Sequence, residues 1–177
     1  LLDKIKNLYE QKKFSKLETT IENIKNFEGL PINLQMIYAV SKALNPNSKI
    51  QDYKKSAFFF EKIFLSDQTN LEPLYNFIIV SLKANMHLRL NNLLEEVYKK
   101  HETDLKILEG LSKANFFLGN MVRATLYYEK LSNLTPNSSN NWTKFLGSIN
   151  YHQNLQQDQY LNYCKKFDKI SKPLSPV

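Results

Sequence analysis

An all-α protein of about five helical hairpins is what this 177-residue sequence predicts, on three observations. Apolar residues recur at helical spacing along nearly the whole chain. Leu74, Leu108 and Trp142 are equally spaced, twice over, at a period of about 34 residues, and chance similarity does not keep register in this way. Only 4 Gly are present, too few for many tight strand turns, while 42% hydrophobic and 12% aromatic residues are ample for a folded chain.

The first hairpin, 1–30, begins inside a helix. Leu2, Ile5 and Leu8-Tyr9 form one stripe, Gln11-Lys12-Lys13 is the predicted turn, and Leu17, Ile21 and Ile24 mark the second helix. Gly29-Leu30-Pro31 then ends it. The missing leading turns, and a start at Leu1 rather than Met, lead us to expect a piece of a longer chain.

The second hairpin, 31–70, is longer, with its excess in Asn45-Pro46-Asn47-Ser48, where insertions are cheap. Its helices are predicted over 33–44, carrying Leu34, Ile37, Tyr38 and Ser41, and over 52–65, with Asp52 as N-cap. Ser56 takes the close-approach position, with Phe60 and Ile63 after it. Phe58-Phe59-Phe60 is more apolar than one helix face needs, so part of it is expected to meet a neighbour or partner.

The third hairpin, 71–104, carries Leu74, Phe77, Ile78 and Leu82, turns near Asn85, and returns through Leu90, Leu94 and Val97. The fourth, 105–138, places Leu108, Leu111, Ser112 and Phe116 on one face. Gly119-Asn120 breaks the pattern, because both residues tolerate positive φ. Ala124, Tyr128 and Leu131 line the return helix and Pro136 stops it. The fifth, 139–170, starts with Trp142, Phe145 and Leu146, has a polar break at His152-Gln153-Asn154, and ends in a helix with Tyr160, Tyr163-Cys164 and Phe167. Residues 171–177 are a tail with no apolar face.

The fourth hairpin resembles a tetratricopeptide repeat. That pattern is matched by Leu111, Ala124, Tyr128, Pro136 and Trp142, with Ser112 in place of its Gly and Asn115 in place of its Tyr, a role offered to Phe116 or Phe117. The third hairpin has Leu90 and Glu102 where the family has Ala and Pro. The resemblance implies a right-handed superhelical solenoid for protein recognition, with the first helix of each pair lining the concave surface.

A net charge of +7 and a pI near 9.3 would suit acidic protein segments, nucleic acid or anionic lipid. Lys beside Glu on solvated faces, as in Glu95-Glu96 followed by Lys99-Lys100, accounts for it more simply. Cys164 is alone, which excludes a disulfide framework or thiolate cluster. No apolar run nears the ~20 residues of a membrane span, no secretory signal is visible, and a cytoplasmic location is the default expectation. His87, His101 and His152 lie in different hairpins with no second ligand at helical spacing. His101, near a helix end, is read as a capping residue. No nucleophile elbow or acid/base pair is recognisable, so neither a catalytic site, a metal nor a cofactor is expected. Three sequons, at Asn133, Asn137 and Asn141, are placed in one loop and read as coincidence.

A binding groove is the stronger expectation. By the concave-surface logic, Tyr75, Asn76, Ile79 and Lys83 face it from the third hairpin. Lys106, Glu109, Lys113 and Phe117 face it from the fourth, and Asn140, Lys144 and Asn150 from the fifth. Asn offers both a donor and an acceptor, so it can hold an extended peptide by its main chain. The end of the sequence, 147–173, is similar to the junction between repeats and catalytic region in O-linked N-acetylglucosamine transferases and SPINDLY-type relatives. The matching residues are Asn150-Tyr151-His152, Leu155, Tyr160, Phe167 and Pro173-Leu174. This resemblance implies the substrate-recruiting arm of a larger protein O-glycosyltransferase, with no catalytic residue in these positions. A stand-alone adaptor or scaffold is the rival, followed by the repeat arm of another transferase class such as a sulfotransferase. Nucleic-acid binding ranks behind both, and self-association into a homodimer through the convex side stays open.

Overall fold

The computed structural model describes residues 2–24, 29–151 and 156–170. The side chain of Leu2, the break at 152–154, Leu155, and Pro173-Leu174 with the rest of the tail lie outside the described residues. Ten helices and no strand occur among the described residues, in two compact units divided between Met86 and His87. The first unit holds α1 (Leu2–Glu10), α2 (Phe14–Glu22), α3 (Ile32–Leu44), α4 (Ile50–Ser66) and α5 (Glu72–Lys83). The second holds α6 (His87–Tyr98), α7 (Leu105–Phe117), α8 (Met121–Leu134), α9 (Ser139–Ile149) and α10 (Gln157–Ile170). Within each unit every helix packs mainly on the next in sequence, as short connections require.

In the first unit most of the predicted stripes are buried, with Leu8, Tyr9, Ile24 and Ile37 half-buried. Ile5, Leu17, Ile21, Leu34, Tyr38, Phe60, Leu74 and Phe77 are inside, joined by Ala57 and Phe64. Each of the larger aliphatic or aromatic side chains contributes about 1.5–3 kcal/mol of burial. The turn between α1 and α2 is closed by Lys12 with φ 53, a left-handed residue. Ser56 packs where α4 meets α3 and donates its hydroxyl to the Ala39 carbonyl. Of the three consecutive phenylalanines, Phe59 and Phe60 are buried and Phe58 is exposed, because adjacent helical residues point about 100° apart.

Two details of this unit differ from the sequence reading. Asp52 is not the N-cap of α4. The helix starts at Ile50, and the Asp52 carboxylate, three residues inside Lys49, accepts from the Lys49 N–H at 3.0 Å. This is the return half of a capping box, and it satisfies one end-of-helix donor equally well. The second is Lys42, which lies buried on the packed face of α3. Its Nζ meets Glu18 at 3.3 Å, Glu22 at 3.2 Å and Asp52 at 3.2 Å, so one ammonium ties α2, α3 and α4 together. Tyr38 Oη donates to Glu22 at 2.5 Å and Asn45 Nδ2 to Glu18 at 3.0 Å. Burial alone would lower the Lys42 pKa, but Tyr38 and the carboxylates around it hold it above its usual value.

In the second unit Leu90, Leu94, Leu108, Leu111, Ala124, Tyr128, Leu131, Trp142, Phe145 and Ile149 form the core. α7 is capped by Asp104, which accepts from Lys106 N at 2.9 Å and Ile107 N at 3.0 Å. The turn into α8 is made by Gly119 at φ 77, while Asn120 keeps a negative φ of −79. Phe116 is not on the packed face, and neither it nor Phe117 takes the place of the repeat's Tyr; they are 39% and 60% exposed. Asn115 itself points inward. Its Nδ2 donates to Asn91 Oδ1 at 2.7 Å and to the Leu111 carbonyl at 2.9 Å. This is a polar fill for a position where the repeat has an aromatic, and it leaves the buried amide satisfied.

Polar side chains also bridge alternate helices here. Tyr127 Oη donates to Glu95 at 2.9 Å, Lys130 Nζ to the Tyr98 hydroxyl at 2.7 Å, and Tyr163 Oη to Glu129 at 2.5 Å. Glu95 therefore serves α8 rather than a lysine of its own helix, and Lys99 pairs with Glu96 at 2.7 Å. Trp142 donates its indole N–H to the Pro136 carbonyl at 3.1 Å, the partner a buried indole needs. The three sequons do not share a loop. Asn133 lies in α8 and Asn141 in α9, and only Asn137 falls between them, because the connection around Pro136 spans only residues 135–138.

Candidate peptide-binding face

Helix periodicity puts Lys106, Glu109, Lys113 and Phe117 on one stripe of α7, opposite the buried Ile107, Leu108, Leu111 and Ala114. Asn140 and Lys144 share a stripe of α9 in the same way. The two stripes meet through one carboxylate. Glu109 Oε1 accepts from Lys113 Nζ at 2.8 Å and from Lys144 Nζ at 3.3 Å. Burial works to raise the Glu109 carboxyl, but the two ammonium groups outweigh it and hold it below the usual glutamate range. All three side chains stay partly open to solvent, at 40%, 34% and 27% exposure for Glu109, Lys113 and Lys144.

One turn beyond Lys113, the exposed Phe117 ring stacks on His87 of α6 with centroids 4.6 Å apart and planes 17° from parallel. Burial favours the neutral imidazole by lowering the His87 pKa. Sequence reasoning missed His87 here, and no spacing signal exists for it, since the contact depends on how α6 lies against α7. Asn150 caps the end of α9 and is exposed. Ten residues from Asn140 at about 100° each, it sits roughly a quarter turn off the Asn140–Lys144 stripe.

The remaining predicted residues lie in the first unit. Tyr75, Ile79 and Lys83 follow one another at four-residue spacing on α5, with Asn76 beside them. Ile79 is 53% exposed, and Lys83 Nζ sits 5.1 Å from the centroid of the Tyr53 ring on α4. That contact is a cation–π pair.

Among the described residues no group of three His, Cys, Asp or Glu is placed to hold a metal ion, and no helix is long and apolar enough to cross a membrane. No family model matches the chain, and no curated protein matches it by sequence. Solved structures do resemble it. MamA AMB-1 superposes with a TM-score of 0.72 at 13% identity, over 98% of this chain and 91% of that one. MamA from Desulfovibrio magneticus RS-1 gives 0.70 at 13% identity, over 95% and 89%. YrrB, described as a TPR protein with an unusual peptide-binding site, gives 0.69 at 12% identity, over 94% and 82%. At such identities the likeness is one of fold, and with the helical hairpins and their repeated register it establishes that this chain has the tetratricopeptide-repeat fold.

Proposed function

We propose that this chain is a protein-interaction domain whose α7–α9 face receives an extended peptide. The observation that carries the reading is the exposed set on that face: an ion triad open to solvent, an exposed Asn140 one turn before Lys144 on α9, and a 60% exposed Phe117 one turn beyond Lys113. Large exposed aromatics beside mixed polar groups are what peptide recognition uses, since the ring supplies the anchor and the polar groups the orientation. The peptide-binding site described for YrrB, a protein of like fold, supports it. The test is to pan a random peptide display library against the full chain and measure selected peptides by fluorescence anisotropy. Phe117→Ala and Lys144→Ala should each weaken binding by roughly fivefold or more, the scale of about 1 kcal/mol per contact. A library that yields no binder, or binders indifferent to both substitutions, would refute the reading.

A finer reading places this domain in the cytoplasm as the substrate-recruiting arm of a larger protein O-glycosyltransferase. It rests on the resemblance of residues 147–173, of which Asn150, Tyr151, Tyr160 and Phe167 are among the described residues. A nucleotide-sugar transferase region encoded after Val177 supports it. A stop codon there removes it in favour of a stand-alone adaptor or scaffold.

A further inference from the structure

We propose that the α7–α9 face selects segments carrying an acidic side chain and a large apolar side chain two residues apart, the acid displacing Glu109 from between Lys113 and Lys144. This rests on the peptide-binding reading and names the chemistry of its ligand. Glu109 Oε1 is shared by two ammonium groups, at 2.8 Å and 3.3 Å, so the triad carries one uncompensated positive charge. Its partial exposure leaves both lysines within reach of a carboxylate arriving from solvent, and an incoming acid would complete the charge balance that Glu109 alone leaves open. The apolar half of the motif follows from Phe117. It lies four residues from Lys113 on the same stripe, a rise of about 6 Å along the helix. An extended chain puts alternate side chains on one side at about 6.6–6.8 Å, so residues two apart reach both points at once.

Glu109 on this account is a resident stand-in for the ligand's carboxylate, and its removal should strengthen binding rather than weaken it. The test uses the full chain and three labelled peptides in one Gly/Ser-rich carrier, with cores Asp-x-Phe, Gln-x-Phe and Asp-x-Ser, each also made in reversed order. In one order the Asp/Phe peptide should bind about fivefold tighter than the same-order Gln/Phe and Asp/Ser peptides, which is the scale of one ion pair or one apolar contact. Glu109→Gln should tighten the Asp/Phe peptide by a similar factor and leave the Gln/Phe peptide unchanged. Lys144→Gln should abolish the preference for Asp over Gln. If library-selected peptides bind but lack an acid, or if Glu109→Gln weakens the Asp/Phe peptide or leaves it unchanged, the displacement idea is wrong while peptide binding stands. If neither the library nor the designed peptides bind, both readings fall together.

Discussion

Asn115 and Asn91 show how a single position departs from its repeat. Both amides are buried, and the Asn115 Nδ2 donates to Asn91 and to its own helix backbone. Asn115→Ala should therefore cost about 1–3 kcal/mol, because the Asn91 oxygen loses its donor in a site without solvent. Urea denaturation followed by circular dichroism measures it. Gly119 makes a different case. A Cβ there meets no atom within 4 Å, yet its φ of +77 is a conformation that side chains resist. Gly119→Ala should lower stability by about 1 kcal/mol through backbone strain alone. Lys42 is the buried cation of the first unit's polar cluster. Lys42→Met takes from Glu18, Glu22 and Asp52 the ammonium they share, leaving Lys55 to act on Glu22 and Asp52 from further off. A loss of about 3 kcal/mol is expected, the low end for breaking a buried pair, since Glu22 and Asp52 keep some solvent. The sign of its pH dependence follows from the carboxylates. For Asp52 the Lys49 N–H, then Lys42, depress the folded pKa; for Glu22 burial opposes, and Tyr38 and Lys42 prevail to depress it. Groups with depressed folded pKa stabilise fully above their unfolded values, about 4, and lose that contribution as pH falls through the folded ones. Melting temperature between pH 6 and pH 3 should therefore fall more steeply in the native protein than in Lys42→Met.

At the scale of elements, the helices are held in two ways. Neighbours in sequence share apolar faces, while alternate helices are bridged by polar contacts such as Glu109–Lys144 and Glu129–Tyr163. α10 has the smallest share of the first kind. None of its side chains is buried, and only Tyr163, Phe167 and Ile170 lie against the Trp142–Phe145–Ile149 cluster. Its amides should exchange with solvent faster than those of α7, α8 and α9. Hydrogen-exchange mass spectrometry reads this directly, and equal protection across the four helices would contradict it. The helices, their order and most packed faces were legible in sequence because helical periodicity depends only on which side is apolar. Register at Phe116-Phe117 and the start of α4 were not. In the first, adjacent aromatics compete for one face, and in the second, Asp serves equally well at the N-cap or three residues inside it.

For the molecule as a whole, the two compact units each have their own core. Trp142→Ala removes a 3% exposed ring from the second of them. It should cost about 3–5 kcal/mol there. In hydrogen exchange its effect should concentrate in α8, α9 and α10, and that of Lys42→Met in α2, α3 and α4. Substitutions that loosen both sets alike would show the units to be one cooperative body. From the sequence alone came the all-helical class, the hairpin order and the repeat register, since all three rest on apolar spacing along the chain. Only the tertiary structure decided that Lys42 is a buried knot, that Asn115 pairs with Asn91, and that Glu109 is shared by Lys113 and Lys144. A polar residue's role is set by the partners that packing brings within about 3 Å. Lys113 lies only four residues from Glu109, but Asp52, Asn91 and Lys144 lie 10 to 35 residues from their partners, where no local pattern records them.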